Sequence, residues 1–209
     1  MTGPSKGKPV IGIVGGVGAG KSAAAAQFVR LGCRLVDADA LGHELLKEDD
    51  VKNLLRRRFG EGIFASDGSV NRPALASIVF DDSEKLARLN EIIHPRIRER
   101  MERQIFQAQQ DTDVPAVVVD AAVLFEAGWD DLCTDTVFVS APAEARQQRA
   151  REARGWDRYA WRRRENSQIS LDRKRRRCSY EVDNSSSLFH LREQVRKLFH
   201  RIVQAVDHP

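Results

Sequence analysis

The sequence predicts an α/β fold of three layers, a parallel sheet covered by helices on both faces. Three observations predict it. Short apolar runs at 10–14, 116–119 and 135–140 alternate with longer stretches of helical composition. The first two runs lack polar alternation, as strands buried on both faces do. Between the first run and an alanine-rich stretch stands Gly15-Gly16-Val17-Gly18-Ala19-Gly20-Lys21-Ser22, a G-x-x-x-x-G-K-S motif. Strand, glycine loop and helix in that order form a phosphate cradle, because the glycines turn backbone N–H groups inward at a helix N-terminus.

The elements follow in order. Strand one covers about 9–14. In the loop, Lys21 can reach β- and γ-phosphates and the Ser22 hydroxyl can ligate Mg²⁺. Alanine propensity carries a helix from Ala23 to Leu31, with Gly32 as its C-cap. Strand two is 33–36 and ends at Asp37-Ala38-Asp39. One helical stretch is expected over 40–58, then turns at Gly60, Gly62 and Asp67-Gly68. Helices follow at 73–80 and 83–90, the second capped by Ser83 with Asp81 and Asp82 near its positive end. His94-Pro95 should interrupt, and a further helix runs to about Gln110. Strands are expected at 116–120 and 135–140, and Pro142 opens a long helical, basic region. A short strand at 180–184 precedes a closing helix. Its stripe of Leu188, Leu191, Val195, Leu198 and Ile202 reads as core packing.

With 209 residues the chain can build one good core. No apolar run approaches the roughly 18 residues of a membrane span. Residues 1–8 have no apolar centre, so they read as a short disordered leader and not as a secretory signal. Cys33, Cys133 and Cys178 lie far apart without metal-type spacing, which fits thiols in a reducing cytoplasm. The net charge of +4 is uneven. Residues 146–177 hold thirteen Arg or Lys against four Asp or Glu, a local +9, so the remainder sums to −5. One basic segment on an acidic body suits a compact polyanion better than a nucleic acid.

Several residues carry candidate chemistry. Asp37 and Asp39 end a strand on the loop's side of the sheet, placed to take a proton or hold Mg²⁺ through water, or to cap a helix. Asp120 ends an apolar strand in a Walker-B-like way and is a candidate for the metal shell or a turn residue. Glu126 and His94 are, taken alone, charges beside apolar groups. Arg146, Arg149, Arg151 and Arg154, then Arg158 and Arg162 to Arg164, are a solvated helix face or a clamp on a transferring phosphoryl group. Trp156 and Trp161 are read as packing beside that hairpin in preference to stacking on adenine. The run Arg173-Lys174-Arg175-Arg176-Arg177 is read as a solvated helix end, since no aromatic stacking motif accompanies it.

The ordered series resembles the dephospho-coenzyme A kinase family from about Val10 to Val203. It comprises the glycine loop, Val36-Asp37-Ala38-Asp39, Phe59-Gly60, Gly68 to Asn71-Arg72, Leu75 and Val79-Phe80. It continues with Leu89-Asn90-Glu91-Ile92-Ile93-His94-Pro95, Leu124-Phe125-Glu126, Arg164 with Gln168, and Asp183-Asn184. The resemblance implies a P-loop NTPase fold with a helical substrate-binding insertion and a lid. The nucleotide core would be 9–39, 114–145 and 178–209, the acceptor-binding region 40–113, and the lid with its following helix 146–177. It implies transfer of the ATP γ-phosphoryl to the ribose 3′-hydroxyl of dephospho-CoA with Mg²⁺. The cysteines and the lack of a long apolar run add a cytoplasmic place and no membrane, and the expected partners are the small-molecule substrates, with nucleic acid disfavoured and a monomer or weak homo-oligomer expected.

By the same resemblance Asp39 is the base and Lys21 serves the phosphates. Gly16, Val17, Gly18, Ala19, Gly20, Lys21, Ser22 and Ala23, with Arg149 and Arg154, bind the nucleotide, and Ser22 holds the metal, with Asp120 as its second candidate from its Walker-B-like place. Asp39, Arg72, His94, Leu124, Phe125, Glu126, Arg164 and Gln168 bind the acceptor. Five positions depart from the family pattern: Val14 and Ala23 replace Thr, Ala122 replaces Pro, Ala153 replaces a lid Arg and Ser179 replaces Asp. The alternatives are a related nucleoside or nucleotide kinase with another acceptor, and a diverged nucleotide- or RNA-binding paralogue without turnover.

Overall fold

The structure is a computed structural model that describes residues 7–80 and 82–207. β1 (Val10–Gly15) leads through the glycine loop into α1 (Lys21–Arg30), and β2 (Arg34–Asp37) follows. Next come α2 (Ala38–Leu45), α3 (Asp49–Phe59), a 3-10 turn at Glu61–Ile63, α4 (Arg72–Val79) and α5 (Ser83–Gln110). β3 (Val117–Asp120), a 3-10 turn at Trp129–Leu132 and β4 (Asp135–Ser140) return to the sheet. The chain ends with α6 (Ala143–Arg154), α7 (Arg158–Asn166), α8 (Leu171–Arg177), β5 (Tyr180–Asp183) and α9 (Leu188–Asp207).

The five strands are parallel, in the order β2-β3-β1-β4-β5. β1 is central, and the chain leaves it where the order reverses, the place where open α/β sheets bind ligands. Ile11, Ile13, Val118, Val137, Val139 and Val182 fill one face against Ala24 and Phe28 of α1 and Leu191, Val195 and Ile202 of α9. The other face of β1 is bare at Gly12. A Cβ there would lie 2.7 Å from Leu124 Cδ2 and 2.9 Å from Cys133 Sγ, so the turn after β3 packs directly on the central strand.

The chain divides into two compact units, one built from residues up to Asp37 and from Glu102 onward, the other from Ala38–Met101. In the second unit the single helix expected over 40–58 is two. Lys47 and Glu48 N–H groups bond back three residues to Glu44 and Leu45, closing α2. Restarting as α3 sets Asp49 and Asp50 at a positive helix end and Arg56 to Arg58 at a negative one. His94-Pro95 does not interrupt: α5 runs through Pro95. Proline deprives only the Glu91 carbonyl of its partner, while Ile93, Ile97 and Met101, four residues apart, are all buried along one stripe. Asp82, not Ser83, caps α5, its Oδ1 accepting the N–H groups of Glu84 and Lys85 at 3.0 and 3.1 Å. Asp81 lies outside the described residues.

Of the expected leader, residues 1–6 lie outside the described residues. Lys8 N–H donates to Gln109 Oε1 at 2.7 Å, and Gln109 Nε2 donates to the Lys8 carbonyl at 2.8 Å. Leu188, expected in the core stripe, is the first residue of α9 and is exposed, and Phe199 is buried in the stripe instead. The three cysteines are free, and burial pushes Cys33 and Cys133 up to about 12 and Cys178 to about 11. Among the described residues no helix is long and apolar enough to cross a membrane.

The contact at Gly12 generates a stability test. Gly12→Ala should cost about 1–3 kcal/mol, the range for overpacking a filled core. Urea unfolding would show a lower midpoint with an unchanged slope. An unchanged midpoint would mean that Leu124 and Cys133 yield without strain.

Candidate active site

The glycine loop is held from outside by its carbonyls. Trp161 Nε1 donates to the Val17 carbonyl at 3.1 Å, and Arg146 Nη1 approaches it at 3.5 Å. Asn184 Nδ2 donates to the Ala19 carbonyl at 2.8 Å, and Arg149 Nη1 at 3.4 Å. In a trans peptide the C=O and the following N–H point opposite ways. Fixing the carbonyls of Val17 and Ala19 outward therefore turns the N–H groups of Gly18 and Gly20 inward, the geometry of an anion nest. Both glycines have positive φ, +79° and +92°. A Cβ on Gly18 would meet the Arg146 carbonyl, so α6 approaches the loop as closely as a glycine permits.

Beside the loop, Ser22 Oγ donates to Asp120 Oδ2 at 2.8 Å. Asp120 closes β3 and is in register with Asp37, the last residue of β2. Asp37 immediately precedes α2, and Asp39 lies exposed in that helix's first turn. Asp39 thus lies inside the helix and not at the position before it. Ser22 and Asp120 supply two hard oxygens, a donor set that suits Mg²⁺ when phosphates and water complete it. Among the described residues no group of three or more His, Cys, Asp or Glu could hold a metal.

The arginine segment is not simply a solvated face. Arg146 is buried, and its Nη1 contacts both Glu165 oxygens at 2.6 and 2.7 Å while its guanidinium lies 5.1 Å from the Trp161 ring. Trp161 packs with Val17 and Ala150, and Trp156 adds to that cluster. Arg149 braces the loop from behind and also donates to the Asn184 carbonyl at 2.8 Å. Arg154 and Arg164 both stack on Trp156, at 4.8 and 4.3 Å. The packing role expected for both tryptophans is what they have here.

In the denser basic run Arg173, Arg175, Arg176 and Arg177 are exposed at the end of α8, the solvated helix end expected, and Lys174 alone departs from it. Lys174 is 1% exposed and donates to Gln168 Oε1 at 2.8 Å and to the Ala122 carbonyl at 3.2 Å, with Glu126 Oε1 at 2.9 Å. Arg175 pairs with Glu181, and Arg177 pairs with Asp130 and covers the Phe125 ring at 4.1 Å. Leu124 is buried against Gly12, and Phe125 is buried beneath Arg177. Of Leu124-Phe125-Glu126, only Glu126 offers side-chain polar atoms. In the Ala38–Met101 unit, Arg72 opens α4 exposed behind its cap Asn71, and His94 is half-buried on α5, where burial holds its imidazole below the usual value. Lys174 and Glu165 were missed among the charges. The signal for Lys174 was its place between Leu171 and Cys178, at the i, i+3, i+7 spacing of a buried stripe.

A family model described as dephospho-CoA kinase matches residues 9–190. The chain is 37% identical over 201 residues to the dephospho-CoA kinase of Syntrophotalea carbinolica, covering 96% of this chain and 95% of that one. It is 36% identical over 199 residues to the dephospho-CoA kinase of Corynebacterium diphtheriae, covering 95% and 99%. Among solved structures, TT1252 from Thermus thermophilus superposes with a TM-score of 0.79 at 31% identity, over 94% of this chain and 98% of that one. A dephospho-CoA kinase from Campylobacter jejuni shares the fold with a TM-score of 0.67 at 21% identity, over 94% and 98%.

The buried Arg146 predicts the behaviour of its partner. Glu165→Ala would leave a guanidinium without its counter-charge, a loss of about 3 kcal/mol by analogy with other broken buried pairs. It should also weaken ATP binding, because Arg146 and Trp161 brace Val17. Denaturation and nucleotide titration check both, and a variant as stable as wild type would show that Arg146 finds compensation in solvent.

Proposed function

The chain belongs to the dephospho-CoA kinase family, and we propose that it transfers the γ-phosphoryl of ATP to the ribose 3′-hydroxyl of dephospho-CoA, giving coenzyme A. The observation that carries the phosphoryl-transfer chemistry is the Ser22–Asp120 contact beside a loop whose carbonyls are fixed outward. The acceptor is carried by the family match over residues 9–190.

In this proposal the loop from Gly16 to Ala23 binds the triphosphate, Gly18 and Gly20 through inward N–H groups, and Lys21 neutralises charge on the β- and γ-phosphates. Ser22 and Asp120 would hold Mg²⁺, which when bound would offset negative charge developing on the phosphates. Arg149 acts on the nucleotide through the loop it braces, and Arg154 adds positive charge beside the triphosphate. Asp39, two residues beyond the end of β2, takes the proton of the acceptor hydroxyl. Arg72, His94, Glu126, Arg164 and Gln168 bind the acceptor, with Leu124 and Phe125 as the packed support beneath Glu126. A reducing cytoplasm fits three cysteines kept as thiols by burial.

A coupled ADP-release assay with dephospho-CoA against other ribose acceptors tests the activity. Dephospho-CoA should be preferred, and a better acceptor would reassign the substrate. Lys21→Ala should lower kcat about 10²–10³-fold, as loss of one preorganised donor does. Asp39→Asn should lower kcat by about 10²–10⁴ with little change in either KM, as loss of a general base does. Full turnover by Asp39→Asn alongside a dead Asp37→Asn would exchange the two roles.

A further inference from the structure

We propose that Lys174 is a positioning residue for the acceptor: it fixes the Glu126 carboxylate and ties it to Gln168, so that one Glu126 oxygen faces a hydroxyl or N–H donor of dephospho-CoA. The inference rests on the reading that Glu126 serves the acceptor.

A lysine ammonium has three donors and no acceptor. Here the three neighbouring acceptors are Glu126 Oε1, Gln168 Oε1 and the Ala122 carbonyl, all within 3.2 Å. They come from different parts of the chain: the turn after β3 supplies Ala122 and Glu126, and the link between α7 and α8 supplies Gln168. That link is also sewn to Glu126 by the Ile169 N–H, which donates to Oε1 at 3.0 Å. One carboxylate oxygen is therefore held twice. The other, Oε2, is buried without a hydrogen-bond partner among the described residues. An ionised oxygen left so is costly unless a donor arrives. A carboxylate pinned through one oxygen and unsatisfied at the other is completed by a donor, and Oε2, covered in this structure, gains one when the acceptor displaces what covers it. Beneath it, Leu124 on Gly12 and Phe125 under Arg177 give the turn little freedom to move.

A merely structural lysine would alter stability and affect both substrates alike. A positioning lysine alters acceptor binding through Glu126 alone. The test is a double-mutant cycle of Lys174→Met and Glu126→Gln, with KM measured separately for ATP and dephospho-CoA and thermal melting recorded for each protein. Each single variant should raise KM for dephospho-CoA about tenfold and leave KM for ATP within about twofold, the pattern of lost binding to one substrate. The double variant should be no worse than the weaker-binding single one, because both changes remove the same interaction. Multiplying effects, equal rises in both KM values, or a normal acceptor KM in Lys174→Met would overturn the inference.

Two failures remain distinguishable. If Glu126→Gln binds dephospho-CoA normally, the acceptor role of Glu126 falls and the inference falls with it, while the kinase activity stands. If wild type does not phosphorylate dephospho-CoA, the functional reading itself fails. Should Lys174→Met alone not fold, the double variant, which removes charge and counter-charge together, carries the comparison against Glu126→Gln. A double variant that also cannot fold assigns Lys174 to stability alone and overturns the proposal.

Discussion

The outward fixing of two carbonyls, those of Val17 and Ala19, is the constraint on which the rest of the site depends. A glycine loop left to itself samples many backbone states, because glycine is nearly indifferent to the sign of φ. Here Trp161 and Asn184 each donate to one carbonyl, and Arg146 and Arg149 stand beside them. These donors come from α6, α7 and the residue after β5, elements distant in sequence from the loop. The inward N–H groups are a consequence of tertiary structure as much as of the G-x-x-x-x-G-K-S letters. Sheet order reinforces this, since β4 and β5 on one side of β1 bring α6 and Asn184 to the loop's edge.

Part of the positive charge of residues 146–177 is matched by acids of the same chain, while Arg151, Arg158, Arg162, Arg173 and Arg176 stay exposed. Arg146 goes to Glu165, Lys174 to Glu126, Arg175 to Glu181 and Arg177 to Asp130. Two of these cations are buried, and a buried charge persists only with a partner and further hydrogen bonds. Both have them. The same segment thereby braces the phosphate loop at one end and the turn bearing Glu126 at the other. Arg154 and Arg164, stacked on Trp156, stay near the surface of α6 and α7. A ligand with several negative charges meets a segment anchored at two buried cations, with exposed arginines around them.

Much of the fold was legible because periodicity and composition report burial directly. The runs at β1, β3 and β4, and the stripe of Leu191, Val195, Leu198 and Ile202, are apolar because both faces of the sheet are covered. Sequence rules failed where tertiary packing outweighed a local preference. Pro95 is a helix breaker, yet the buried stripe of Ile93, Ile97 and Met101 carries α5 through it. No glycine or proline marks the break between α2 and α3, so nothing local announced it. Within the site, the loop and the Ser22–Asp120 pair were readable as motifs. Lys174 was hidden in a run of five cations, since residue type alone cannot say which of several identical charges turns inward. Asp39 was readable as one of two acids ending β2, and the resemblance chose it over Asp37; Glu126 drew its proposed role from resemblance alone, as it reads only as a charge beside apolar groups.

The most direct measurement of the central constraint is calorimetric titration of a non-hydrolysable ATP analogue with Mg²⁺ into Trp161→Phe, Asn184→Ala and the pair combined. Each lost hydrogen bond should weaken nucleotide binding about fivefold, from roughly 1 kcal/mol of loop preorganisation. The combined variant should lose on the order of 25-fold, with affinity for dephospho-CoA unchanged. Wild-type nucleotide affinity in the combined variant, with a native circular dichroism spectrum, would contradict the account, because the loop would then hold its inward N–H groups without the donors behind it.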